Sequence, residues 1–103
     1  MNTAFYQARM RAIRARNEVS LAIRRGSSTL NAQLMRIEYS GSRGFKLQSD
    51  AARAATQAVF ILGEPDMDIQ PEDRLTYQGR LIKVVFIQVE RQFATIAEGV
   101  VEE

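Results

Sequence analysis

The sequence has no cysteine, no histidine and no tryptophan, and only two prolines. Without thiols there is neither a disulfide framework nor a thiolate zinc site. Without imidazole the commonest general base, the usual metal ligand and most nucleophile-activating pairs are missing. Asp, Glu, Lys and Tyr still offer acid–base groups, but the expectation is a chain that is no enzyme and holds no metal or cofactor. No apolar run approaches the roughly 18 residues that cross a bilayer; the longest are "AVFIL" and "VVFI". The opening "MNTAFYQARMRAIRARN" puts arginines where a secretory signal needs an apolar centre, so the expected setting is a reducing cytoplasm.

What is present is ordinary globular composition, 46% apolar and 25% charged over 103 residues, enough for one domain with its own core. The charge is unevenly spread. Residues 1–53 carry ten Lys or Arg against three acids, and residues 54–103 carry four against nine. That asymmetry fits a phosphate-rich or polar partner on one side, or equally two halves that neutralise each other within a fold or between identical subunits.

Residues 3–16 lack Gly and Pro and are rich in Ala and Arg, which predicts an N-terminal helix over residues 1–16. Tyr6, Met10 and Ile13 form its narrow apolar stripe, with Phe5 and Ala12 beside it. Arg11 and Arg14 lie away from that stripe, and Arg9 and Arg16 border it.

"EVSLAIRR" then alternates, with Val19, Leu21 and Ile23 on one face, and "LNAQLMRIEY" resumes with Met35, Ile37 and Tyr39. A pair of antiparallel strands joined by a short Gly-Ser loop accounts for both. Residues 40–57 follow neither period, and a connection of that length in a small domain is usually functional. "AVFILG" reads as a buried strand. In "RLTYQGRLIKVVFIQVE", Gln78-Gly79 suits a two-residue primed turn, which sets Leu75 opposite Ile82. Ile82, Val84 and Phe86 are expected on one face and Val85, Ile87 and Val89 on the other. Phe93 and Ile96 fall in a last strand of uncertain phase. The sum is a mainly β chain: a small barrel or sandwich of about six antiparallel strands over residues 17–98, a long inter-strand loop, and a tail at 99–103.

Two candidate sites fail on their own patterns. The acidic "GEPDMDIQPED", counted from Asp66 as a calcium loop, has Pro71 where Gly is required and Tyr77 where Glu is required. Turn chemistry explains it better, with Pro71 fixing φ and Asp73 free to accept backbone amides. "GSRG", Gly41 to Gly44, has the shape of the KH backbone clamp but follows a strand instead of a helix. Arginine supplies twelve of the fourteen basic residues, and it suits phosphate. No aromatic residues interleave with Arg9, Arg11, Arg14 and Arg16, so any nucleic-acid contact would be to backbone and independent of sequence.

The stretch "DIQPEDRLTYQGRLIKVVFIQ" resembles the phage head–tail joining proteins, the head-closure (stopper) and adaptor group of tailed phages. Asp68, Ile69, Asp73, Arg74, Gly79, Ile82 and Val84 carry the likeness, and "QLMRIEYSG" and "VFILG" precede them in the family's order. It covers about residues 17–90. An aromatic residue often stands in such proteins where this chain has Ile82, and the N-terminal segment is long and basic, which leaves stopper and adaptor both open.

The resemblance implies a β-barrel that assembles into a homo-oligomeric ring of the virion neck. Its partners would be a portal or adaptor protein on the head side, a tail protein on the other, and packaged double-stranded DNA by non-specific contact. A long loop would reach the DNA channel, and here that loop carries Arg43, Lys46 and Arg53. Subunit contacts would set Arg9, Arg11, Arg14 and Arg16 of one copy against Asp66 and Asp68 of the next. The alternative reading is a monomeric, sequence-independent nucleic-acid binder on the same barrel.

Overall fold

The computed structural model describes residues 18–39, 47–55, 57–88 and 93–102. The helix expected over residues 1–16, with its four arginines, lies outside them, as do Arg43 and Lys46. Mainly β structure is what the rest adopts. Its strands are β1 (Glu18–Leu21), β2 (Arg24–Arg25), β3 (Ser28–Thr29), β4 (Gln33–Tyr39), β5 (Ala58–Gly63), β6 (Arg74–Tyr77), β7 (Arg80–Ile87) and β8 (Thr95–Glu102). One short helix, α1 (Asp50–Ala54), sits between β4 and β5. All pairings are antiparallel, and one eight-stranded sheet runs β1-β4-β5-β8-β7-β6-β2-β3.

The order places β1 at one edge of the sheet and β2, the next strand in the chain, beside the other edge strand, β3. Ala22 and Ile23 must therefore carry the chain across the open side, and the sheet curls into a half-barrel. This corrects the simple hairpin expected for residues 18–39. β1 pairs with β4 from Glu18↔Arg36 to Leu21↔Gln33. The tip then breaks away as the two-residue strands β2 and β3, and Arg24 pairs with Arg74 of β6. Gly26 turns that tip at φ +62°, a region Gly enters without steric cost. The alternation Val19, Leu21, Ile23 survives the bend because all three side chains still face the core, so periodicity could not record it.

The core fills the concave face. Ile23, Met35, Ile37, Val59, Ile61, Leu75, Ile82, Val84 and Ala97 are buried there, with Met67 and Ile69 from the acidic segment. The hairpin forms as its turn chemistry requires. Gln78 and Gly79 take φ of 52° and 76°, the primed-turn geometry that matches strand twist, and Leu75 faces Ile82.

Strand β7 departs from strict alternation. Val84 pairs with Gly99, but Phe86 pairs with Glu98, so the register shifts at Val85. The bulge turns Phe86 to the outer face and brings Ile87 onto the core. Phe86 therefore leaves the face of Ile82 and Val84 that the sequence predicts for it. A second correction concerns the end of the chain. Residues 99–102 are the last half of β8, with Gly99 in the buried interior, and no tail starts there. Third, the described residues form eight strands where about six were expected, two of them only two residues long.

Candidate functional site

The acidic segment folds inward on alternate residues. Met67 and Ile69 are buried while Asp66 and Asp68 stay exposed. Burial of two apolar side chains holds an otherwise irregular stretch against the first hairpin. Gln33 reinforces it by clasping the backbone of Asp68: its Nε2 donates to the Asp68 carbonyl at 2.9 Å and its Oε1 accepts the Asp68 N–H at 2.8 Å.

Asp73 is the buried centre of this corner, only 1% exposed. Its two carboxylate oxygens accept Arg25 Nε at 3.0 Å and Arg25 Nη2 at 2.9 Å, the paired geometry that suits guanidinium to carboxylate. Oδ2 also accepts the Gln70 N–H at 2.8 Å, so Asp73 caps its own turn as its type predicts. The turn is clipped to β7 from both sides, Glu72 N–H to the Val84 carbonyl and Val84 N–H to the Asp73 carbonyl, each at 2.8 Å. Arg25 Nη2 reaches Asp68 Oδ1 as well, at 2.9 Å. Hydrogen bonding first to Asp73 and then to Asp68 holds the Arg25 guanidinium still more firmly protonated than a free arginine.

Two carboxylates of this stretch, Asp68 and Asp73, thus share Arg25, and a third, Glu72, turns to Lys83 at 3.3 Å. Among the described residues no group of three or more acidic side chains is placed to hold a metal ion. Arg74, beside the corner, donates from Nε to Glu102 Oε1 at 2.8 Å.

Asp68 was expected to meet a neighbouring subunit, yet it has a partner within its own chain, so replacing it touches the fold as well as any interface. Asp73→Asn is expected to lower the denaturation midpoint several times more than Asp68→Asn. The first removes a buried charge from its pair, whereas the Asp68 side chain is 59% exposed and its pair is screened by water. Urea unfolding of both variants checks this, and equal shifts would mean that Asp73 is not the centre of the corner.

At the opposite end of the sheet β4 ends and β5 begins, on either side of the segment 40–57. Tyr39 and Gln57, at the loop's two ends, are both held by Arg80 of the β6–β7 hairpin. The guanidinium carbon lies 5.7 Å from the Tyr39 ring centroid, and Nη1 donates to Gln57 Oε1 at 2.6 Å. Arg53, the described member of the loop's three cations, lies on α1. It is exposed and turned toward its own segment, with Nε donating to the Leu47 carbonyl at 3.2 Å and Nη1 3.6 Å from Asp50.

Segment 47–54 rests on the outer face of the sheet through a residue that the sequence did not single out. Glu98 is fully buried, and its carboxylate accepts the N–H groups of Gln48 at 2.7 Å and Ser49 at 3.0 Å. Its signal in the sequence is a lone carboxylate within the apolar run "TIAEGVV". Arg25 gave no such signal, because its partner is 48 positions away.

Comparisons of this chain with protein-family models, with curated proteins and with solved structures find no match.

Proposed function

We propose that this chain is a structural subunit of the neck of a tailed phage, of the head–tail joining kind. It would form a homo-oligomeric ring between portal and tail, link head to tail, and help to retain packaged DNA. The observation that carries this reading is that the residues behind the resemblance build one stiff hairpin with a clasped base. At the base Asp68 and Asp73 hold Arg25 and Arg74 ties β6 to β8, Ile69, Ile82 and Val84 are buried in the core, and Gly79 makes the turn at the far end. A hairpin built this way offers shape and fixed contacts, which is what a ring subunit supplies to its neighbours.

In this reading the two ends of the half-barrel have different tasks. The Asp73 corner and exposed Asp66 face a neighbouring subunit, portal, adaptor or tail protein. The loop of residues 40–57, with Arg43, Lys46 and Arg53, faces the DNA channel. Three weak phosphate contacts per copy, repeated around a ring, make a collar whose strength comes from multiplicity and falls with salt.

The test is particle association. The chain is expected in purified virions of the phage that encodes it, at the neck when labelled for electron microscopy. Replacing Arg43, Lys46 and Arg53 together with Ala is expected to leave assembly intact while heads lose DNA. Absence from particles, combined with salt-dependent DNA binding by a monomer, would instead establish the free nucleic-acid binder. Full genome retention by the triple variant would make the loop a spacer.

A further inference from the structure

We propose that residues 47–54 form a strap that Glu98 latches onto the outer face of the sheet, and that this strap opens as a unit while the sheet stays folded. Glu98 sits on β8 opposite Phe60 of β5 and Phe86 of β7, under the strap, with no exposed surface. Its carboxylate takes four hydrogen bonds. Gln48 N–H (2.7 Å) and Gln88 Nε2 (3.2 Å) donate to Oε2; Ser49 N–H (3.0 Å) and Ser49 Oγ (3.1 Å) donate to Oε1. All four donors are neutral, and three of them belong to the strap.

Among the described residues the rest of the strap's hold is small, and helix α1 buries one of its own side chains, Ala52. Its backbone bonds are internal, from Arg53 to Ser49 and from Ala55 to Ala52. Ser49 caps the helix by accepting the Ala52 N–H at 3.1 Å while its hydroxyl donates to Glu98, so cap and latch are one side chain. The ladder beneath the strap is continuous. β5 and β8 pair without interruption from Ala58↔Val100 to Gly63↔Thr95.

The energetics favour a separable opening. A buried carboxylate is costly when it loses its donors inside the protein. Here, undocking the strap admits water to the same carboxylate, so neither state leaves a desolvated, unpaired charge. Gln88 stays with the sheet and keeps one bond in both states. Opening therefore costs three hydrogen bonds and the burial of Ala52, offset in part by the conformational freedom the strap regains, and stays well short of the ladder that holds β5 to β8. Among the described residues the strap inserts one small buried side chain and hangs on one carboxylate, which places it at the low-stability end of the fold. Release would move Arg53 away from the sheet and uncover Glu98. The latch is a property of the single chain and holds whatever the chain assembles with.

Amide hydrogen exchange on the full-length protein tests it. In the unaltered chain, Gln48, Ser49, Ala52 and Arg53 are expected to exchange at least about tenfold faster than Ile61 and Ala97, by an opening insensitive to low denaturant. Glu98→Gln presents an amide where an acceptor is needed. It is expected to reduce strap protection by a further factor of about ten while β5 and β8 amides stay protected. Exchange of strap and strands through one common, denaturant-sensitive opening overturns the proposal. So does strap protection unchanged in Glu98→Gln, or loss of the whole sheet in that variant.

Discussion

Phe60→Ala is expected to destabilise the fold by about 3–5 kcal/mol, the usual range for emptying a buried aromatic site, and Phe86→Ala by clearly less. The two rings stand on one outer row, on either side of Glu98. Phe60 belongs to β5, every residue of which is buried, and it is only 1% exposed. Phe86 lies beyond the bulge on β7 and is half-buried, so truncating it removes less contact. Urea midpoints at constant slope compare the two directly. A larger loss for Phe86→Ala would mean that β7 keeps its alternation through Val85 and that Phe86 packs in the core beside Val84.

That bulge marks the limit of what alternation can reveal. In "RLIKVVFIQ" the period of two is legible through Ile82 and Val84, and both are buried as expected. One extra residue at Val85 then exchanges the faces of everything that follows. The turn at Gln78-Gly79 was legible because its conformational requirement is local to two residues. So was the face shared by Met35 and Ile37, which are buried on one side of β4. The tip of the first hairpin was not, since its strands follow a distant partner, Arg74, and not a local pattern. Long-range side-chain pairing was also hidden. Asp73 could be assigned to its own turn, but nothing near it named Arg25. The last strand runs on past the boundary expected at residue 98, to Glu102, because Gly99 packs against Ile82 and Val59, contacts that no local pattern records.

That packing is the basis of the last prediction: Gly99→Ala is expected to destabilise the fold by about 1–3 kcal/mol, and Gly99→Val by more. A methyl group there would stand 2.7 Å from Ile82 Cγ2, 3.2 Å from the Lys83 carbonyl oxygen and 3.3 Å from Val59 Cγ2. Replacing Gly by Ala normally gains about 0.4–1 kcal/mol by restricting the unfolded chain. Overpacking should win here, because Ile82 and Val59 are fully buried and the Lys83 oxygen belongs to a strand paired on both sides. The same geometry makes the effect reversible by a second change. Leucine at position 82 lacks the offending branch, so Ile82→Leu clears the nearest clash at a cost below about 1.5 kcal/mol by itself. The double variant should then be more stable than the sum of the single losses, by about 0.5 kcal/mol or more. Chemical denaturation of the four proteins in the cycle measures that coupling. Strict additivity, or a stabilising Gly99→Ala, would mean that the core opens around Gly99 and that β8 packs less closely against Ile82 than its glycine implies.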